Sequence, residues 1–219
     1  MLSTDISETS LTVEGVHIVI DAGLARVPRL NQRTGLTEIV TVTSSRASAD
    51  QRSGRAGRVR SGVAYRLWSR IEDSTRLAHL PAEITQTDIT GLALELAAWG
   101  TEISTLTFLD PIPQKTLRLA QDTLRLLHLI DDSDAITPFG RRVVTLPLHP
   151  RLGIMVARHL HDSSSGWLSC VIGALLDERD IMRGRPDDAP CDLALRVKCV
   201  LDIESDDRVD SGARRRVLS

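Results

Sequence analysis

The sequence predicts an α/β region followed by a region built from helices alone. Three runs with the character of strands, two of them rich in β-branched residues, precede Ser74, and polar or glycine-containing segments separate them. After Ser74, apolar residues recur at helical spacing instead. With 219 residues, 42% of them hydrophobic and 26% charged, the chain is large and apolar enough to form a core without disulfides.

The three runs predict strands in different environments. Val16–Ile20 is a β-branched run that precedes Asp21-Ala22-Gly23, which is typical of a buried strand that ends in a loop. Ile39–Thr43 alternates apolar and polar residues, as does one arm of a half-exposed hairpin, and Pro28–Gly35 is the polar turn region before it. Val63–Trp68 is the third predicted strand.

Capping residues and prolines mark the helices that follow. Thr87-Asp88 is placed to cap a helix that Gly100 ends, Asp110-Pro111 to begin a second helix and Thr137-Pro138 to begin a short third one. In this order, the three helices resemble a winged-helix module. Further helices are predicted at Leu152–His161, Trp167–Leu176 and Asp192–Leu201, and the charged end, Asp206–Ser219, is expected to be frayed.

Composition argues against several classes of protein. No apolar run approaches the ~18 residues of a membrane span, and Met1–Glu8 is polar, so neither a membrane partner nor a signal peptide is expected and the predicted location is cytoplasmic. The three cysteines have no paired spacing, and no metal site is predicted. Cys170, Cys199 and the tryptophans at 68, 99 and 167 are instead expected in the core.

Charge is unevenly distributed along the chain. The 27 Lys and Arg residues nearly balance 29 Asp and Glu, and a net charge of -2 would by itself argue against a nucleic-acid partner. Arginines nevertheless cluster between Arg46 and Arg60. The net charge therefore excludes nothing about nucleic acids.

The most informative segment is Gln51-Arg52-Ser53-Gly54-Arg55-Ala56-Gly57-Arg58. If Arg55 and Arg58 begin a helix, their spacing of three places both guanidiniums on one face. Two guanidiniums beside glycines that permit close approach form a site for a polyanion such as a triphosphate, and Gln51 is placed to orient a water. The alternative interpretation of an isolated Arg/Gly-rich loop is a solvated basic turn.

The whole segment resembles motif six of the superfamily-two helicases. Upstream, Ser3–Gly15 is similar to motif five of the DEAH/RHA helicases and is followed by the strand expected there. Three later segments are similar to the bacterial HrpB branch of that family: Leu67–Ser69, Leu94–Gly100 and Leu146–Leu152. The sequence is thus identified, by resemblance, as part of a DEAH/RHA-type ATP-dependent helicase.

This resemblance implies roles for the residues of motif six. Arg55 and Arg58 would be arginine fingers that reach the γ- and β-phosphates of ATP, and Gln51 would help to place the attacking water. Gly54 would keep the loop slim enough for the nucleotide to approach. The implied cofactor is ATP with Mg²⁺, bound mainly by a first RecA-like domain.

Motif five carries the other implied contacts. Ser10 and Thr12 are candidate hydroxyl ligands of the nucleotide, and Glu14 stands near the ribose where the family commonly has Asp. Thr4 would hydrogen-bond a phosphate of a single-stranded nucleic acid, RNA in particular. The hairpin region Pro28–Thr43 would guide that strand.

The resemblance also divides the chain. Residues 1–73 would be the end of the second RecA-like domain, with its partial parallel sheet, residues 74–150 a winged-helix domain and residues 151–219 the start of a helical ratchet domain. The sequence contains no Gly-x-x-x-x-Gly-Lys-Ser/Thr loop and no Asp-Glu-Ala-His box. A C-terminal fragment that is inactive without the first RecA-like domain is therefore expected. Two alternatives are a non-catalytic winged-helix module that binds nucleic acid and a truncated pseudogene product.

Overall fold

The computed structural model describes residues 2–3, 8, 15–31, 36–58, 60–178, 180–184 and 191–218. The chain forms two compact units, one of Met1–Asp88 with Phe108–Thr116 and one of Ile89–Thr107 with Leu117–Ser219. The predicted class is confirmed at this level, because a small parallel sheet is accompanied by many helices.

In the first unit the described residues include two small sheets and the helices at Arg46–Ser53 and Arg70–Thr75. Strand β1 (Ile18–Asp21) pairs in parallel with β4 (Val63–Arg66), and β2 (Leu24–Asn31) pairs antiparallel with β3 (Leu36–Thr43). The second pair is the predicted hairpin, but Pro28–Asn31, which were predicted as part of the turn, belong to β2 and pair with Leu36–Ile39. Helix α1 (Arg46–Ser53) lies between β3 and β4, and α2 (Arg70–Thr75) and a 3₁₀ turn (Glu83–Thr85) follow β4.

The prediction that the first strand is buried is wrong. Ile18 is 62% exposed and Ile20 is 67% exposed. In the parallel register Ile18 lies beside Val63 and Ile20 beside Tyr65, and both of these partners are also exposed. A parallel sheet normally has both faces covered, whereas this sheet has two strands and leaves these apolar residues uncovered within the described part of the chain.

The second unit is helical and contains a 3₁₀ turn (Ile103–Thr105). Its α-helices are α3 (Thr90–Trp99), most of α4 (Gln114–Leu126), α5 (Pro138–Val143), α6 (Pro150–His159), α7 (Ser163–Asp177), α8 (Leu193–Val200) and α9 (Ser211–Val217). Leu124, Leu129 and Val143 are almost completely buried. A further core cluster joins residues of α7, α8 and α9 with Ile181 and Met182.

Several predicted helix boundaries are wrong by one turn or less. Helix α3 begins after Ile89 without a side-chain cap from Thr87-Asp88. Helix α4 begins at Gln114, because a proline at 113 disfavours helical backbone in the residue before it. Helix α7 begins at Ser163 and not at the predicted Trp167, because Asp162 Oδ1 accepts the N–H of Ser164 at 3.2 Å and caps an earlier first turn.

The C-terminal segment, which was predicted to be frayed, instead forms helix α9. Asp210 Oδ1 accepts the N–H groups of Gly212 and Ala213 at 2.8 and 2.9 Å and thereby caps α9. Ala213 and Val217 are buried in the core cluster. This helix was not predicted because only two apolar residues, Ala213 and Val217, which are four positions apart, contact the core, and arginines fill the positions between them.

The core predictions for cysteine and tryptophan hold only in part. Cys199 is buried as predicted, but Cys170 is exposed. Trp99 and Trp167 are exposed, contrary to prediction, and Trp68 is half-buried with the guanidinium of Arg76 4.0 Å from its ring centroid.

Acid is expected to weaken an ion pair within the segment that connects α8 to α9. Asp206 Oδ2 lies 2.6 Å from a guanidinium nitrogen of Arg208, and hydrogen bonds from that side chain and its backbone N–H lower the pKa of Asp206 to about 2. Since the folded pKa lies below the ordinary value of 3.8, this contribution is complete above pH ~4 and is lost as the pH falls through 2. Urea unfolding should show the stability difference between the wild type and Asp206→Asn shrinking over that interval. A difference that is constant with pH would contradict this assignment.

Within the described residues, no helix combines the length and apolar character needed to cross a membrane.

Candidate functional site

Helix α1 and the turns after it carry the arginine-rich segment. The hydroxyl of Ser45 accepts the N–H of Ser48 at 3.1 Å and begins the helix, and the N–H of Gly54 donates to the carbonyl of Asp50 at 2.9 Å at its end. Arg55 and Arg58 therefore follow a helix and do not begin one, which corrects the geometry expected from their spacing.

The start of α1 is fixed from two sides. The N–H groups of Arg46 and Ala47 donate to the carbonyls of Leu77 and Ala78 at 2.9 and 3.0 Å, and that of Ser44 donates to Gly23 at 2.9 Å. These bonds satisfy N–H groups that the first turn of a helix leaves without partners. The helix is thereby tied to the turn after β1 and to the segment after α2.

Arg52 is the centre of a largely buried ionic cluster, which we call the Arg52 cluster: Arg52, Glu8 and Asp21. Its guanidinium contacts Glu8 Oε1 at 2.6 and 2.7 Å, Asp21 Oδ1 at 3.1 Å and the carbonyl of Leu24 at 2.9 Å. The three side chains retain only 11%, 16% and 6% of their exposure. The cluster joins α1 to the end of β1 and to a residue of the N-terminal segment.

Electrostatics favour the charged form of Arg52. Burial opposes the charge of its guanidinium, but its hydrogen bond to the Glu8 carboxylate and the charges of Asp21 and Glu8 outweigh that cost and raise the pKa of Arg52 above its ordinary value. Arg52 is not among the site residues predicted from the sequence. Nothing in local spacing indicates it, because its partners are 44 and 31 residues away.

The predicted site residues differ in their surroundings. Arg55 is half-buried and donates from its guanidinium to the backbone carbonyl of Glu8, the residue that Arg52 also binds. Gln51, Gly54 and Arg58 are exposed. The remaining predicted site residues, namely Thr4, Ser10, Thr12 and Glu14, lie outside the described residues.

Two glycines near α1 have different reasons for lacking a side chain. A Cβ at Gly62 would lie 2.0 Å from the carbonyl oxygen of Ala56, so the fold itself requires glycine there. A Cβ at Gly57 would meet no atom of the described residues within 4 Å, and its φ is not in the left-handed region. Packing among the described residues therefore does not explain Gly57, whereas close approach of a bound group would.

Arg76 clamps the loops that lead into α1. Its guanidinium donates to the carbonyls of Gly23 and Ser44 at 2.9 and 3.0 Å, and its ring partner is Trp68. Gly23 has φ +70°, and a Cβ there would lie 2.4 Å from that guanidinium. This second arginine was also missed from sequence, since its contacts are with backbone that is distant along the chain.

The described residues contain no group of three or more His, Cys, Asp or Glu side chains placed to hold a metal ion.

Two curated proteins share much of this sequence. Over 179 residues the chain is 35% identical to the ATP-dependent RNA helicase HrpB of Escherichia coli (strain K12). The alignment covers 81% of this chain and 22% of HrpB. Over 156 residues it is 35% identical to the pre-mRNA-splicing factor ATP-dependent RNA helicase prp22 of Schizosaccharomyces pombe. This alignment covers 69% of this chain and 13% of prp22. The chain thus spans less than a quarter of the length of these curated relatives. No family model matches the sequence.

Solved structures show the same likeness. The crystal structure of the E. coli DEAH/RHA helicase HrpB superposes with a TM-score of 0.78 at 28% identity and covers 99% of this chain and 27% of that one. A second crystal structure, of the E. coli DExH-box NTPase HrpB, gives a TM-score of 0.75 at 32% identity, with 84% and 24% covered. The sequence match and the structural match both agree with the family indicated by the motifs. The chain belongs to the DEAH/RHA helicase family and matches part of an HrpB-type member.

Proposed function

We propose that this chain contributes to an ATP-dependent helicase of the cytoplasm that couples ATP hydrolysis to translocation along single-stranded nucleic acid, RNA in particular. The observation that carries the proposal is the Arg52 cluster, which anchors α1 beside two further arginines in a segment of helicase-motif sequence. Both curated relatives are ATP-dependent RNA helicases, which supports the choice of RNA.

The proposed chemistry is charge stabilisation during phosphoryl transfer. Arg55 and Arg58 would contact the β- and γ-phosphates, and Gln51 would orient the attacking water. The residues fit such a ligand, because Arg58 and Gln51 are exposed and the space beside Gly57 is open. Bound Mg²⁺ would neutralise phosphate charge and would be held mainly by the first RecA-like domain, which is the required partner.

The other proposed contacts belong to motif five. Ser10, Thr12 and Glu14 would face the nucleotide, and Thr4 would bind a phosphate of the nucleic acid. The proposed division of the chain is the end of a second RecA-like domain (1–73), a winged helix (74–150) and the start of a ratchet domain (151–219). The antiparallel bridge between Ile130 and Ile136, which lies between α4 and α5, supports a winged-helix arrangement.

The isolated chain is expected to show no ATP hydrolysis above background. Its sequence offers arginines for the phosphates but no loop of the Walker type to bind them. Phosphate release should be measured with and without oligouridylate. Turnover that disappears in Arg55→Ala would contradict this prediction.

A chimera tests the proposed function itself. The 179 aligned residues of E. coli HrpB are replaced by the corresponding residues of this chain. If the chain supplies a working motif six, the chimera should hydrolyse ATP with stimulation by single-stranded RNA. A folded chimera that binds ATP but does not hydrolyse it would overturn the proposal.

Gly57→Ala is expected to separate folding from activity. Its methyl group meets open space, so the free energy of unfolding of the isolated chain should change by less than ~0.5 kcal/mol. In the chimera the same methyl group would displace the phosphates, and ATP hydrolysis should fall by about 10²-fold. The control is Gly91→Ala in α3, whose Cβ would meet only Pro150 at 4.0 Å and which should leave hydrolysis unchanged. Equal hydrolysis by both variants would show that Gly57 does not border the nucleotide.

A further inference from the structure

A second basic segment, besides the one between Arg46 and Arg60, lies in the helical part of the chain. Between Ala135 and His161 it carries four arginines and no Asp or Glu, although the protein has a net charge of -2. This segment forms α5 and α6, which pack together in the second unit. Its basic residues are therefore brought onto neighbouring helices.

Three of these arginines, together with Phe139, define what we call the α5–α6 arginine cluster: Arg141, Arg142 and Arg158. All three are exposed. The guanidinium carbons of Arg142 and Arg158 lie 5.3 and 5.9 Å from the centroid of the Phe139 ring. Since both lie close to one half-buried ring, the two guanidiniums are at most about 11 Å apart, and the ring restricts the freedom of both.

The cluster differs from the other arginines of this unit in its ionic partners. Six of the others form ion pairs with Asp or Glu: Arg125, Arg183, Arg196, Arg208, Arg214 and Arg216. Among the described residues, no carboxylate lies within ion-pair distance of the three cluster arginines. Their positive charge is therefore available to a ligand from outside.

We propose that the α5–α6 arginine cluster binds the phosphate backbone of a single-stranded nucleic acid. The guanidinium matches a phosphate with two parallel hydrogen bonds, and a strand that carries one charge about every 3.4 Å offers several phosphates within the span of the cluster. This site deepens the proposed function by naming a contact away from α1. The choice of nucleic acid over another polyanion rests on that proposed function.

The test uses the whole chain and a fluorescein-labelled single-stranded oligouridylate, with fluorescence anisotropy measured over a series of salt concentrations. Arg142→Gln/Arg158→Gln should weaken binding on the order of 20-fold at 0.1 M salt and reduce the slope of log K against log salt by about 1.4. The matched control is Arg118→Gln/Arg215→Gln, which removes the same charge from two exposed arginines outside the cluster. This control should keep the wild-type slope.

A second variant separates the ring from the charges. Phe139→Leu keeps the four charges of the segment but removes the surface that holds two guanidiniums. It should weaken binding a few-fold without reducing the salt slope, and far-ultraviolet circular dichroism should confirm that it folds. A slope reduced as much as in the double arginine variant would show that the ring has a different role.

The outcomes distinguish this site from the proposed function. Wild-type binding that is weakened equally by both double arginine variants would overturn the cluster as a site while leaving nucleic-acid binding by the chain intact. No wild-type binding at all would overturn the cluster, whereas the ATPase test in the chimera would still decide the role of α1. Equally tight binding of polyglutamate, lost in the same variant, would assign the cluster to acidic protein segments instead.

Discussion

Replacing Arg55 by alanine in the HrpB chimera is expected to reduce ATP hydrolysis by ~10³-fold or more, the lower end of the effect of an arginine finger. The guanidinium is half-buried and held by the carbonyl of Glu8, so it is ordered before any nucleotide binds. A preorganised charge stabilises the transition state without a cost of reorganisation. Steady-state phosphate release gives the rate, and nucleotide binding measured separately should change far less.

Arg60→Ala is the matched control for Arg55. Arg60 is exposed in the same loop and donates from Nε to Nε2 of His17 at 2.8 Å, so its removal deletes one charge from the same region. We expect the control to retain hydrolysis within about three-fold, in the range of a change of less than 1 kcal/mol. Equal losses in both variants would indicate a general effect of charge and would rule out a finger at Arg55.

Arg52→Gln is expected to destabilise the isolated chain by about 3 kcal/mol, because it leaves two largely buried carboxylates without their cation. Asp21 is the more severely affected partner, since one of its oxygens is buried without a hydrogen bond even in the wild type. Urea unfolding at neutral pH measures the change. Loss of the cluster should also free Glu8 and with it the carbonyl that holds Arg55.

The control for this second prediction is Arg66→Gln. Arg66 pairs with Asp50 at 2.5 Å, but the two side chains are 33% and 69% exposed, so the pair is worth less than about 1 kcal/mol. A double-mutant cycle of Arg52→Gln with Asp21→Asn isolates their coupling. If Arg52→Gln costs no more than Arg66→Gln, the Arg52 cluster does not anchor α1.

Strands and helices were predictable where a local rule decides them. Gly100 ends α3 in the left-handed conformation, as its place after an apolar repeat predicts. The hairpin follows from alternation along Ile39–Thr43. Burial was less predictable, because Val16–Ile20 has the pattern of a buried strand, while its sheet has two strands among the described residues and leaves Ile18 and Ile20 exposed. Periodicity describes one segment and carries no information about what covers it.

The candidate site shows the same division. The eight residues Gln51–Arg58 could be recognised from their order alone, and the relatives confirm the family. That Arg55 follows a helix, and that Arg52 and Arg76 hold the surrounding loops, depended on contacts with residues more than 20 positions away. Charge showed a similar limit, since a net value of -2 hides an uncompensated arginine cluster on α5 and α6.

By itself, the sequence determined the α/β-then-helical class, the arginine-rich motif and the family, because each depends on residue order or on short-range spacing. Only the tertiary structure decided which partners each arginine of the motif contacts. Arg52 and Arg55 are three residues apart, yet one lies between two carboxylates and the other contacts a backbone carbonyl. The physical reason is that the energy of a charge depends on its burial and its partners, and folding brings those partners from distant parts of the chain.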